Sequence, residues 1–152
     1  MANTQAMCTS FLGELMTATH NFTTGTGNTF KAALYLTSAT VNAATTAYSS
    51  TGEVTGTNYT AGGVTVTNGT SPASTNSSAT AGVGYWTPTA SITYTNVTLT
   101  TAFDAVLIYN SSASDKAVSV HTFGSQTVTA GTFTLTMPSN TTSTALLRLA
   151  TT

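Results

Sequence analysis

The sequence predicts an all-β chain: an antiparallel β-sandwich, immunoglobulin-like or jelly-roll-like, with a short N-terminal α-helix. The clearest run is Thr132-Phe-Thr-Leu-Thr-Met137, which alternates strictly. Phe133, Leu135 and Met137 fall on one face and Thr132, Thr134 and Thr136 on the other, the period of a half-buried strand. In Asp104-Ala-Val-Leu-Ile-Tyr-Asn110, Val106, Leu107 and Ile108 follow one another, so both faces are apolar, as in a central strand. The remaining apolar runs are short and punctuated by Gly, Ser and Asn, which gives about seven or eight strands and the spacing of a sandwich or small barrel.

Taken in order, residues 4–19 carry the helical signal. Met7, Phe11 and Leu15 recur at i, i+4 and i+8 with Cys8 and Leu12 beside them, and Asn3 or Thr4 is the expected N-cap. Gly13 and several threonines are poor helix formers, so this helix needs packing to persist. A first strand is expected in the run Thr29-Phe-Lys-Ala-Ala-Leu-Tyr-Leu-Thr37, with Phe30, Ala32, Leu34 and Leu36 inward and Lys31 and Tyr35 outward. Residues 40–63 form a long, turn-rich loop whose only large side chains are Tyr48 and Tyr59; a loop of that length has a task or hides short strands. Val64-Thr-Val-Thr67 reads as a short strand, and the Ser, Thr, Ala and Gly of 71–84 as a mobile excursion. Order resumes at Tyr85-Trp86, with Trp86 expected in the core. Ile92-Thr-Tyr-Thr-Asn-Val-Thr-Leu99 alternates except at Asn96, where a bulge would restore register. Segments 104–110, 116–123 and 132–137 then form a meander with turns at 111–115 and Gly124-Ser125, and 144–149 supplies the last strand.

The 152 residues suffice for one domain, 1–152, with a real core. Only 5% are charged, against about 25% in ordinary soluble domains, while about a quarter are Thr. Such a surface is polar without being charged and, at a net charge of −1, lacks the repulsion that keeps copies apart. Coverage by copies of itself or by a larger assembly is therefore expected. Lys31, Lys116 and Arg148 are too few and too scattered for a nucleic-acid footprint. Cys8 is alone, so neither a disulfide framework nor a cysteine metal site is expected. No apolar run approaches the roughly 20 residues of a membrane span. The Met1-Ala-Asn-Thr-Gln start lacks a basic stretch followed by an apolar core, so synthesis in a cytoplasm without a signal peptide is expected.

The chemistry-bearing residues are sparse. A Ser-His-Asp triad can be assembled on paper from His20 or His121 and the abundant serines, but no Gly-x-Ser-x-Gly elbow accompanies it. Paired carboxylates would have to come from Glu14, Glu53, Asp104 and Asp115. Structural roles suit each better: Glu14 on the polar side of the helix, Glu53 ordering the Gly-rich loop, Asp104 capping backbone or pairing a cation, and Asp115 in a solvated pair with Lys116. His121 reads as a satisfied, half-buried strand histidine, and His20 as a helix-terminal one that favours the dipole when protonated. No calcium or phosphate loop is present. Neither catalytic residues, nor a metal, nor a cofactor is expected. Tyr48, Tyr59, Tyr85 and Trp86 leave open a sugar-stacking platform.

Several stretches, spread nearly end to end, carry a resemblance: the N-terminal start with its helix, Phe30-Lys-Ala-Ala-Leu-Tyr-Leu36, Gly52-Glu-Val-Thr-Gly56, Tyr59-Thr-Ala-Gly-Gly63, Tyr85-Trp86, Ala102-Phe-Asp-Ala105, Leu107-Ile-Tyr-Asn110 and Thr122-Phe-Gly-Ser-Gln-Thr-Val-Thr-Ala-Gly-Thr-Phe-Thr-Leu-Thr-Met-Pro138. In these the chain resembles a group of small virion proteins of tailed bacteriophages. The resemblance implies a structural particle component without catalytic residues, foremost a capsid decoration (cement) protein on the capsid exterior. Its partners would be the major-capsid lattice and copies of itself, with monomer or trimer left open. The contact candidates are Met7, Phe11 and Leu15 on the helix and Tyr48 and Tyr59 in the long loop. A tail, adaptor or fibre-associated virion protein is the second reading, and a carbohydrate-binding module the third.

Overall fold

A strand that is apolar on both faces has to be covered twice, and the chain solves this with one long hairpin. In the computed structural model, which describes residues 2–75 and 82–151, the elements are β1 (Ala6–Met7), α1 (Thr9–Met16), β2 (Phe30–Leu36), β3 (Val64–Thr65), β4 (Ala73–Ser74), β5 (Val83–Trp86), β6 (Ile92–Asn110), β7 (Lys116–Leu135) and β8 (Leu147–Ala150). They form an all-β, antiparallel sandwich with one short helix. One sheet has the order β1-β7-β6-β2-β3 and the other β4-β5-β8.

β6 and β7 run 19 and 20 residues and cannot lie straight. Phe103 pairs with Gln126, and Tyr94 with Phe133. A straight ribbon at ~3.4 Å per residue would hold those two rungs about 30 Å apart. Yet the Phe103 and Phe133 rings lie 5.0 Å apart, and the Tyr94 hydroxyl donates to the Ala32 carbonyl at 2.7 Å, although Ala32 pairs with Ile108 at the other end of β6. The hairpin therefore folds back on itself, and its two halves supply both layers. Register shifts between Tyr94 and Ala105 mark the corner, the device by which a strand passes from one layer to the other. Asn96, at φ 52, sits where the alternation slips.

Five expectations are corrected. The meander is a two-stranded hairpin, because Gly124-Ser125 lies within β7 and does not end it; the register with β6 shifts there, and pairing resumes at Thr122 and Gln126 on either side. The helix covers Thr9–Met16 and not 4–19. Its N-cap is Cys8, without a side-chain cap bond, and the preceding residues join the sheet instead: Ala6 pairs with Val120 and Met7 with Ser119. Asn3 does not cap; its amide donates to the Leu36 carbonyl (2.9 Å) and to Asp104 (2.6 Å), and its oxygen accepts from the Val41 N–H (3.1 Å). Tyr35 faces inward and is buried along with Ala33, because the loop after β2 covers that strand's second face. Within 71–84, β4 and the start of β5 are ordered strands, and 76–81 lie outside the described residues.

Trp86 is buried, 4.8 Å from Phe22, which stacks on Phe30 at 4.2 Å. This cluster joins the small sheet to β2. The long loop hides isolated bridges, Tyr35 to Glu53, Ala47 to Lys116 and Thr57 to Thr98, so it is held at three points along the hairpin sheet. Gly63 makes close approach possible there: it has φ +72, and a Cβ would meet the Ala32 carbonyl oxygen at 1.7 Å. Gly63→Ala is expected to cost about 2 kcal/mol or more, read as a lowered midpoint in urea unfolding.

Candidate functional site

Of the acids, Glu53 is buried most deeply. Its carboxylate accepts from the Tyr48 hydroxyl (2.6 Å), the Tyr59 hydroxyl (2.7 Å) and the Gly62 N–H (2.8 Å). The bonds continue outward. Tyr59 also accepts from the Leu34 N–H (3.0 Å), and Tyr109 donates to the Gly62 carbonyl (2.8 Å). Tyr48 stacks on Tyr109 with centroids 4.8 Å apart, and Tyr59 on Tyr94 at 5.8 Å. Burial first, and then the Glu53 charge, push the Tyr59 and Tyr48 hydroxyls well above the usual phenol range. Burial likewise lifts Tyr35 and Tyr109 to about 12. Every Glu53 partner is a donor that stays protonated, so the group orders the loop. It offers no proton-transfer pair.

Glu14 is engaged differently. Its Oε1 accepts from Lys116 Nζ at 2.7 Å and its Oε2 from His20 Nε2 at 2.7 Å. Burial raises its carboxyl, but the bonds from Lys116 and His20 outweigh this and hold it below the usual value. Asn110 donates to His20 Nδ1 (3.1 Å) and to Asn28 (2.9 Å), which places the histidine proton on Nε2. His20 is thus a buried link, edge-on to Phe11 at 4.9 Å, and does not cap the helix, which ends at Met16. Lys116 turns to Glu14 and leaves Asp115 exposed, so the expected Asp115–Lys116 pair is absent. Asp104 accepts from Asn3. His121 shares a 2.9 Å bond with Ser119 Oγ, and burial pushes its pKa down to about 4. Glu14 and His20 form a pair, but no group of three or more His, Cys, Asp and Glu able to hold a metal occurs among the described residues.

The surface is mostly neutral and polar, with one apolar patch among the described residues. Phe11, Leu15, Phe22, Tyr85, Trp86 and Leu149 are among the residues lining a cleft of about 140 Å³ between α1 and the small sheet. Leu12 (44% exposed), Met16 (85%) and Leu149 (44%) are the exposed large hydrophobics among the described residues. Leu149 lies on the cleft wall, and Leu12 and Met16 belong to the helix that forms its other side.

The expected contact residues divide accordingly. Phe11 is core, 2% exposed, and Leu15 is half-buried in the cleft. Met7 is half-buried in β1. Tyr48 and Tyr59 point inward to Glu53, because a buried carboxylate recruits the nearest hydroxyl donors. Phe11 is therefore corrected from a contact residue to a core one, while Tyr48 and Tyr59 are half-buried with their hydroxyls engaged by Glu53. Tyr48, Tyr59, Tyr85 and Trp86 form no common exposed platform; the Trp86 N–H is bonded to Asn68 and Thr70 inside. The surface residues that the pattern under-weighted are Leu12 and Met16. At about 100° per residue they continue the Phe11–Leu15 stripe past the edge that the sheet covers. Comparison with protein-family models, curated proteins and solved structures gives no match.

Tyr59→Phe leaves the Leu34 N–H without its acceptor and Glu53 one donor short, and is expected to cost on the order of 1–3 kcal/mol, measured by chemical denaturation. The pH dependence follows from the depressed groups. His121 is held neutral in the fold, so its contribution is complete above the ordinary value of 6.5 and is lost as pH falls toward about 4; allowing for partial exposure, this amounts to about 2 kcal/mol. Glu14 adds a further loss below the ordinary 4.5. The thermal midpoint should fall from pH 6.5 downward, and His121→Gln should flatten the upper part of that fall.

Proposed function

We propose that this chain is a non-enzymatic structural protein of a tailed-bacteriophage particle, a decoration (cement) protein bound to the outer surface of the major-capsid lattice. The observation that carries the reading is the division of labour among side chains. Glu14, Glu53 and Asp104 are engaged in internal hydrogen bonds. The outside is threonine-clad, with one apolar patch around the cleft. A surface of that kind recognises by shape, apolar contact and neutral hydrogen bonds. On a repeating lattice, many copies of a modest contact suffice. The resemblance to small virion proteins supports the same reading.

The helix face at Leu12 and Met16, beside the Leu149 wall, is the contact surface in this reading. It is the part of the helix stripe that the fold leaves uncovered.

Quantitative gels of purified particles test the role: a stoichiometry comparable to that of the major capsid protein is expected. A handful of copies per particle would move the chain to the tail or its fibres, and absence from particles would overturn the proposal. With particles in hand, a Leu12→Ser, Met16→Ser double variant should bind stripped capsids at least about tenfold more weakly, ~1.4 kcal/mol, with an unchanged thermal midpoint. Equal binding would remove this face from the contact.

A further inference from the structure

The two halves of β7 are treated differently by the rest of the chain. Along the first half the outer side is closed: Ala6 and Met7 pair with Val120 and Ser119, the Cys8 N–H reaches the Val118 carbonyl at 3.0 Å, and Ala47 bridges to Lys116. From Thr122 to Leu135 β7 pairs with β6 alone among the described residues. In an antiparallel ladder, alternate residues turn their N–H and C=O away from the partner, so this stretch presents a row of backbone groups with no strand beside it.

A second feature lies on the same line. Phe123, Val128, Phe133 and Leu135 belong to the hydrophobic interior but are only half-buried. Phe123 and Leu135 also border an apolar cleft of about 130 Å³ between the two layers of the folded hairpin. The sandwich is unsealed where the strand edge is open.

Sheet edges in solution are normally blunted by short length, proline, lysine or an inward charge. Residues 122–137 contain no charged residue and no proline. From Thr122 to Gly131 the edge is broken by register shifts against β6 and by Ala130, at φ 45, which leaves Gly131–Leu135 as the regular stretch. Its alternation, Thr132-Phe-Thr-Leu, matches itself when reversed. A twofold axis through this stretch sets threonine beside threonine on the outer face and Phe133 beside Phe133 or Leu135 in the gap. No like charges oppose one another, and a chain of net charge −1 adds little long-range repulsion.

We infer that the open edge of β7 pairs antiparallel with the same edge of a second copy, making one continuous sheet across a twofold axis and closing the gap beside Phe123, Phe133 and Leu135. The interface is isologous and small, on the order of 1,000 Å² in all, so association depends on concentration. The inference is independent of the virion role: particles lacking the protein would leave it standing.

Sedimentation velocity from about 1 µM to about 1 mM tests it. The wild type should pass from monomer to dimer, and a Thr132→Lys, Thr134→Lys double variant should stay monomeric with an unchanged thermal midpoint, because both threonines are exposed and the axis brings each lysine against its mate. A wild type monomeric throughout, or a folded double variant that dimerises equally well, overturns the pairing. Should the double variant fail to fold, amide hydrogen exchange of the wild type at the two concentrations decides. Protection gained within 122–135 supports the edge, and protection gained only elsewhere overturns it.

Discussion

Everything in this molecule is arranged around the bend in one hairpin. Once β6 and β7 fold over, the far half of the ribbon becomes the lid of the near half. Val97 and Leu99 then share a single buried core with Ala32, Leu34, Val106 and Leu107. The bend concentrates aromatic rings at its inner side: Phe123 lies 5.2 Å from Phe133, which itself sits 5.0 Å from Phe103. It also fixes what faces water. Thr93, Thr95, Thr129, Thr132 and Thr134 are exposed because their strand neighbours point into the gap. The threonine surface is a consequence of the alternation that makes the hairpin fold.

A two-layer core made from one ribbon is open at its sides, and the rest of the chain closes most of them. Residues 40–63 close one side and are tied down by Glu53, which costs a buried charge and is compensated by hydroxyl and amide donors. The helix and the His20 segment close another, through the Lys116–Glu14–His20–Asn110 chain of bonds. The few ionisable residues are thus concentrated where loops must be pinned to the hairpin. That placement links the low charge of the surface to the fold: Glu14, Glu53 and Asp104 are structural, and Asp115 is the acid left exposed among the described residues.

What is left uncovered is specific. The outer edge of β7 past Thr122 and the helix face at Leu12 and Met16 are neutral or apolar, and each lies next to a cleft between packed layers. Surfaces of this type suit contacts that are numerous and individually weak, where repetition of the partner replaces strength of the single site. A particle lattice and a second copy are both partners of that kind.

The alternation of residues 132–137, the continuous apolar run at 106–108 and the slip at Asn96 were legible as strands and a bulge, because side-chain period is a local property that survives into any sheet. So was the burial of Trp86 and the loop-ordering role of Glu53, the one charge in a glycine-rich segment. Three things needed the tertiary structure. The pattern cannot distinguish a turn from a bend, so Gly124-Ser125 looked like the end of a strand that in fact continues to Leu135. It cannot tell which part of an apolar stripe will be covered, so Phe11 went to the core and Met16 to the surface. And it cannot place side chains around a shared partner: Tyr48 and Tyr59 are half-buried and turn their hydroxyls to Glu53 because β2 and the loop bring that carboxylate between them, an arrangement that no local period encodes.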